Sequence, residues 1–224
     1  MKVLVFGATG MVGQGVVREC LLAEDVSAVV AIGRSSAGVG EEKFHEVLRE
    51  DLSDLSGVAE LSGVDACFFC LGVPSAGMKE ADYTRITYDL TMSAAAAVAA
   101  ENPAATFVYV SGQGADSSEQ GRVMWARVRG RTENALLATS LNTYILRPGY
   151  IQPRHGARSK VTLYRTIYRV TSVLYPLLRL VAGNHITTTE VVGRAMLALA
   201  RGADPGKRIL NSPEMNALSS PAGG

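Results

Sequence analysis

The amino-acid sequence predicts an α/β fold, a doubly wound parallel sheet, and three observations predict it. Short apolar runs alternate with segments of helical periodicity through the first two thirds of the chain. A glycine-rich turn, Gly7-Ala8-Thr9-Gly10-Met11-Val12-Gly13, separates the first run from the first periodic segment. The length, 224 residues, suits one domain of this class, whose members extend to about 250 residues.

Lys2 to Phe6 reads as the first strand, and Val12, Val16, Val17, Cys20 and Leu21 then repeat at helical spacing. Val26 to Ile32 is a second apolar run closed by Gly33-Arg34-Ser35-Ser36, which completes a βαβ unit. Phe44 to Leu48 is expected to be a third strand, Leu55 to Leu61 a short helix and Val64 to Leu71 a fourth strand. A long helix is expected from about Ala81 to Ala100, stopped by Asn102-Pro103. Thr106 to Val110 is the fifth strand, Val123 to Ala138 a helix, and Thr143 to Leu146 the sixth strand, closed by Arg147-Pro148-Gly149.

Past Gly149 the alternation fails. The apolar stripe of Val161 to Val181, interrupted by Pro176, predicts a bent helix over the sheet ends. Thr189 to Ala200 is expected as the last helix. The reading is therefore one Rossmann domain over residues 1–210, with a small helical C-terminal lobe at 149–204 on the substrate side and a loose tail at 211–224.

Composition narrows the class. With 47% hydrophobic and 19% charged residues the chain resembles ordinary globular proteins. No run approaches the roughly 18 apolar residues of a membrane span, and no export signal is read, so the expected location is cytoplasmic. Cys20, Cys67 and Cys70 are an odd number, which argues against a disulfide framework, and Cys67-Phe68-Phe69-Cys70 is expected in a strand that sends its thiols to opposite faces. His45, His155 and His185 lack ligand spacing, so no metal site is expected. Net charge is only +1, yet residues 121–180 carry eleven Lys or Arg against the single acid Glu133. That block favours an anionic small-molecule partner; a nucleic-acid partner is not expected, because no binding module accompanies the charge.

The glycine turn carries the chemistry. It allows a tight bend, lets backbone N–H groups approach a pyrophosphate, and places that phosphate at a helix N-terminus. At the end of the second strand an acid would accept from the ribose 2′-hydroxyl of NAD, whereas an arginine pairs with the 2′-phosphate of NADP. Arg34, Ser35 and Ser36 stand there, and no acid precedes Glu41. NADP(H) is the expected cofactor, ahead of NAD.

Taken with Asp51-Leu52, Phe69-Cys70-Leu71-Gly72, Val110-Ser111-Gly112-Gln113-Gly114, Trp125-Ala126-Arg127-Val128-Arg129-Gly130 and Arg147-Pro148-Gly149, the chain resembles the short-chain dehydrogenase/reductase superfamily. Within it the likeness is to the atypical, Tat-interacting-protein-like and NAD-dependent epimerase/dehydratase branch, over about residues 1–150. The resemblance implies that Gly7, Thr9, Gly10, Met11, Val12 and Gly13 cradle the pyrophosphate, Arg34 and Ser35 the 2′-phosphate, and Asp51 and Leu52 the adenine edge. It further implies Leu71, Gly72 and Val73 at the ribose, Pro148, Gly149 and Ile151 near the nicotinamide, and Ser111 in the place of the catalytic serine, with Ser111 and Arg129 also among the cofactor contacts.

One departure is central. The superfamily's Tyr-x-x-x-Lys pair is Trp125-x-x-x-Arg129 in this chain. An indole N–H does not release its proton at working pH, and arginine stays charged. Two readings follow: an NADP-dependent oxidoreductase on a small carbonyl substrate, with Ser111, Trp125 and Arg129 at the site, or a non-catalytic NADP(H)-dependent sensor or adaptor with a protein partner.

Overall fold

The computed structural model describes residues 1–157 and 186–220. Its core is a seven-stranded, all-parallel sheet in the order β3-β2-β1-β4-β5-β6-β9. The strands are β1 (Lys2–Phe6), β2 (Ala28–Gly33), β3 (Phe44–Leu48), β4 (Ala66–Phe69), β5 (Thr106–Val110), β6 (Asn142–Arg147) and β9 (Ile209–Asn211). The chain winds outward from β1 to β3, then returns to lay β4 on the other side of β1. This reversal opens a crevice at the carboxyl ends of β1 and β4, where open α/β sheets bind their ligands.

Alternation along each strand explains the two-sided core. Val3, Val5, Val29, Ala31, Phe68 and Val108 point to one face and pack with Val16, Val17 and Cys20 of α1 (Met11–Leu22). Leu4, Phe6, Val30, Ile32, Cys67 and Phe107 point to the other, against Ala94, Ala95 and Val98 of α3 (Leu90–Glu101) and Leu136 of α4 (Met124–Leu137). Burial on both faces is what makes these strands continuous apolar runs.

The long helix expected from Ala81 is present but interrupted. A five-residue α2 (Glu80–Thr84) runs through a π-helical turn, Arg85–Asp89, into α3. Buried Tyr83 stands just before that turn. The expected helix at Leu55 to Leu61 shrinks to one 3-10 turn, Ala59–Leu61.

The helix α5 (Thr189–Ala200) packs on the main layer: Val192, Ala195, Met196 and Leu199 share the core of α1. Gly15 and Thr189 meet so closely that a Cβ on Gly15 would lie 2.5 Å from the Thr189 Cβ. The segment after 210, expected as a loose tail, is ordered as far as residue 218. Ile209–Asn211 adds the seventh strand and Ser212–Leu218 forms α6, started by a capping box in which the Asn211 and Glu214 side chains each accept from the other's backbone N–H. Beside the main sheet, β7 (Tyr150–Gln152) pairs in parallel with β8 (Ile186–Thr188). The expected Val161 to Val181 helix lies outside the described residues.

Candidate functional site

The cleft begins at the glycine turn. Gly7 adopts φ +80°, and a Cβ there would strike the Leu71 backbone N at 2.7 Å. A Cβ on Gly13 would lie 2.1 Å from the Gly7 carbonyl oxygen. The Gly10 N–H donates to that same oxygen at 2.9 Å. The turn thus folds onto itself with no side chains between strand and helix, leaving the first N–H groups of α1, from Met11 to Gly13, without intrahelical acceptors. No acidic residue stands in the first turn of α1 to compete for them. The geometry has the form that fits a pyrophosphate, and the residues present fit a dinucleotide.

One wall of the cleft runs from the turn along the ends of β1 and β2. It is lined by Gly7, Thr9, Gly33, Arg34, Ser35, Glu46, Leu52 and Leu71. Arg34 and Ser35 are exposed at its rim. Leu52 is buried in the wall, whereas neighbouring Asp51 is fully exposed and accepts from the Ser53 N–H and hydroxyl at 2.8 and 2.6 Å, bonds that lower its pKa. Glu46 is the residue the sequence reading missed. The register of β2 on β3 sets Glu46 beside Ala31, and its carboxylate accepts from the Ser36 hydroxyl at 2.5 Å and the Ala37 N–H at 2.6 Å. Only the non-local strand pairing brings this acid to Arg34.

A second group of the expected site residues lies at the ends of β4, β5 and β6. Ser111, 5% exposed, follows β5, its N–H donating to the Leu146 carbonyl at 2.8 Å. Its hydroxyl donates to Glu133, which is fully buried on α4. The Arg147 guanidinium grips the same carboxylate through Nε, 3.1 and 3.0 Å from its two oxygens, and through Nη2. Arg147 Nη2 also donates to the Ser117 hydroxyl at 2.6 Å. The Ser111 hydroxyl therefore donates into a buried charge pair.

Arg129, one turn before Glu133 on α4, turns the other way. Its Nε donates to the Tyr83 phenol oxygen at 3.0 Å, and its terminal nitrogens reach over two glycines. Nη1 lies 2.9 Å from where a Gly112 Cβ would stand, and Nη2 lies 4.0 Å from the same point on Gly72. Burial works against its charge, but Tyr109, Tyr83 and Glu133 favour it, so its pKa is raised. Burial also drives the Tyr109 phenol up. Trp125 packs its indole against Gly114, 3.2 Å from a Cβ position there. Val73 is partly buried beyond Gly72. The Pro148 carbonyl accepts from the Gln113 N–H at 2.9 Å, the Gly149 N–H donates to the Ser212 hydroxyl at 3.2 Å, and Ile151 is buried in β7.

The thiols behave as strand geometry requires. Cys67 packs on one face of the sheet and Cys70 on the other, and burial raises both pKa values. Part of the basic block is absorbed locally: Arg127 pairs with Glu80 at 2.7 Å, Arg147 with Glu133, and Arg131 lies 4.3 Å from the centre of the Tyr88 ring.

Comparison with known proteins agrees with this geometry. Residues 7–171 match the NAD(P)H-binding family. A protein of Eremothecium gossypii named "Protein FMP52, mitochondrial" is 30% identical, covering 97% of each chain. Among solved structures, MoeE5 in complex with UDP-glucose and NAD superposes with a TM-score of 0.67 at 20% identity, covering 94% of this chain and 75% of that one. A short-chain dehydrogenase/reductase from Saccharomyces cerevisiae gives 0.64 at 17% identity, covering 97% and 98%. The expected cytoplasmic location is corrected by the first of these relatives, whose name points to the mitochondrion. Among the described residues no helix is long and apolar enough to cross a membrane.

Proposed function

The chain belongs to the NAD(P)H-binding family, as an atypical short-chain dehydrogenase/reductase-like Rossmann protein, and we propose on that premise that it is an NADP(H)-dependent oxidoreductase acting on a small, anionic carbonyl substrate. The observation that carries this reading is the glycine cradle with a cation at the carboxyl ends of the strands on either side of it, Arg34 after β2 and Arg129 over Gly72 and Gly112. When bound, the reduced cofactor supplies a hydride to the carbonyl carbon. The chain's own residues then hold and polarise. Arg34 and Ser35 bind the 2′-phosphate, and Arg129 stabilises charge developing on the carbonyl oxygen. Neither Trp125 nor Arg129 gives up a proton at neutral pH, so solvent or the substrate protonates that oxygen. Loss of a general acid costs about 10²- to 10⁴-fold in rate, and slow turnover is expected.

Glu46 bears on the cofactor choice. Its carboxylate is held back by Ser36 and Ala37, which leaves the arginine as the group that meets the ribose. Calorimetric titration with NADPH and NADH, on the wild type and on Arg34→Ala, tests this. The expected outcome is micromolar NADPH binding, about 8 kcal/mol, strongly weakened in Arg34→Ala, with NADH weaker throughout. Absence of binding by either nucleotide would end the reading. A second reading, a non-catalytic NADP(H)-dependent sensor or adaptor, is favoured by one observation: the Ser111 hydroxyl is committed to Glu133. In that case NADPH binds with the same pattern and no carbonyl compound oxidises it.

A further inference from the structure

Arg129 lacks the carboxylate partner that several arginines of the described chain have, and it lies at the ends of β4 and β5. Arg147 is matched to Glu133, Arg127 to Glu80, Arg194 to Glu19 and Glu190, and Arg201 to Asp25. Arg129 is partly buried, yet its one hydrogen bond among the described residues is to a neutral acceptor, the Tyr83 phenol. Glu133, one turn along α4 and the natural partner at that spacing, is already satisfied by Arg147 and Ser111. No carboxylate is therefore hydrogen-bonded to the Arg129 guanidinium among the described residues.

The geometry of the fork matters equally. Tyr83 takes Nε and fixes the plane, which leaves Nη1 and Nη2 with their N–H groups along the ends of β4 and β5. The two residues beneath them, Gly72 and Gly112, carry no side chains, and a methyl group on Gly112 would meet Nη1 at 2.9 Å. A guanidinium presenting two parallel donors is matched by a carboxylate, which accepts both at once.

We propose that Arg129, oriented by the Tyr83 phenol, is the receptor for a carboxylate group carried by the substrate, with Tyr83 as its positioning residue. The class of substrate is then a small carbonyl compound bearing a carboxylate. This inference rests on the reading of the chain as an NADP(H)-dependent oxidoreductase, and it adds the group by which the substrate is held.

The test uses the full chain saturated with NADPH and titrated with sodium oxamate, a planar unreactive carboxylate, against uncharged oxamide at constant ionic strength. Emission of Trp125, the single tryptophan, reports binding from one turn before Arg129, and calorimetry repeats the measurement. Oxamate is expected to bind saturably and oxamide not. Arg129→Gln should weaken oxamate by about tenfold or more, the loss of a charged hydrogen-bond pair, while leaving NADPH affinity and melting temperature near the wild-type values. Arg129→Lys should recover part of the loss. Tyr83→Phe should weaken oxamate by a smaller factor with NADPH affinity unchanged, which general unfolding would not produce. Oxamate binding that is absent from the NADPH complex, or unchanged in Arg129→Gln, overturns the proposal while the cofactor reading stands. A loss of NADPH affinity in Arg129→Gln as large as that for oxamate assigns the guanidinium to the cofactor and overturns it too. Failure of the wild type to bind NADPH overturns the cofactor reading itself, and this inference with it.

Discussion

At the ends of β1 and β2 the candidate site is made of backbone; at the ends of β4, β5 and β6 it is made of side chains. The first region works by what is missing, since Gly7 and Gly13 leave room that any Cβ would fill. The second works by pairing across distance: Ser111, Glu133 and Arg147 come from three segments and meet in one buried cluster, and Arg129 meets Tyr83 from 46 residues away. The difference teaches where such a site is robust. A backbone cradle fails when anything is added, whereas a side-chain cluster fails when anything is removed.

The sharpest way to break this contrast is Glu133→Ala. It leaves the Arg147 guanidinium and the Ser111 hydroxyl without their acceptor, and removal of one partner of a buried ion pair costs about 3–5 kcal/mol. Urea unfolding should show that loss. A loss under about 1 kcal/mol would put the pair among weak surface contacts and erase the distinction between the two regions. Gly13→Ala adds one methyl group where the Gly7 carbonyl already stands. Overpacking of this kind costs about 1–3 kcal/mol, and here it should also remove most nucleotide affinity, as calorimetry with NADPH would report. Unchanged binding would mean that the turn is a structural bend and not a cradle.

The smallest effect concerns acid. Lys207 holds the Glu214 carboxyl below its ordinary pKa, chiefly by a hydrogen bond, and His155 does the same for Glu190. A carboxylate with a depressed folded-state pKa contributes stability that is present above its unfolded value and lost as pH falls through the folded one. Melting temperature should therefore decline below about pH 4.5, and Glu214→Gln should flatten that decline slightly. An identical acid limb in the variant would remove Glu214 from the account.

Much of the cradle was legible because its signals are local. A strand, a glycine turn and a helix follow one another within the first 22 residues, and Arg34 closes the next strand. The far end was less so. Ser111, Trp125 and Arg129 came from resemblance to the superfamily, but nothing in the order of residues says that Glu133 accepts from both Ser111 and Arg147, or that Tyr83 lies against Arg129. Glu46 was hidden for the same reason, because parallel register and not sequence spacing sets it beside Arg34's strand. The segment after 210 is a different kind of miss. Asn211 followed three residues later by Glu214 is a capping-box signature, and the small-residue composition around it drew the reading to a tail.

The contact between Gly15 and Thr189 carries a consequence for how the protein comes into being. The helix that starts at the glycine turn rests on a helix made some 170 residues later, and the sheet's last strand comes later still. During synthesis α1 is made before α5, and Val16, Val17 and Cys20 complete their packing only when Val192 and Met196 arrive. Domains tend to fold as whole units as they leave the ribosome, and this one can close only after α5 and the last strand have been made.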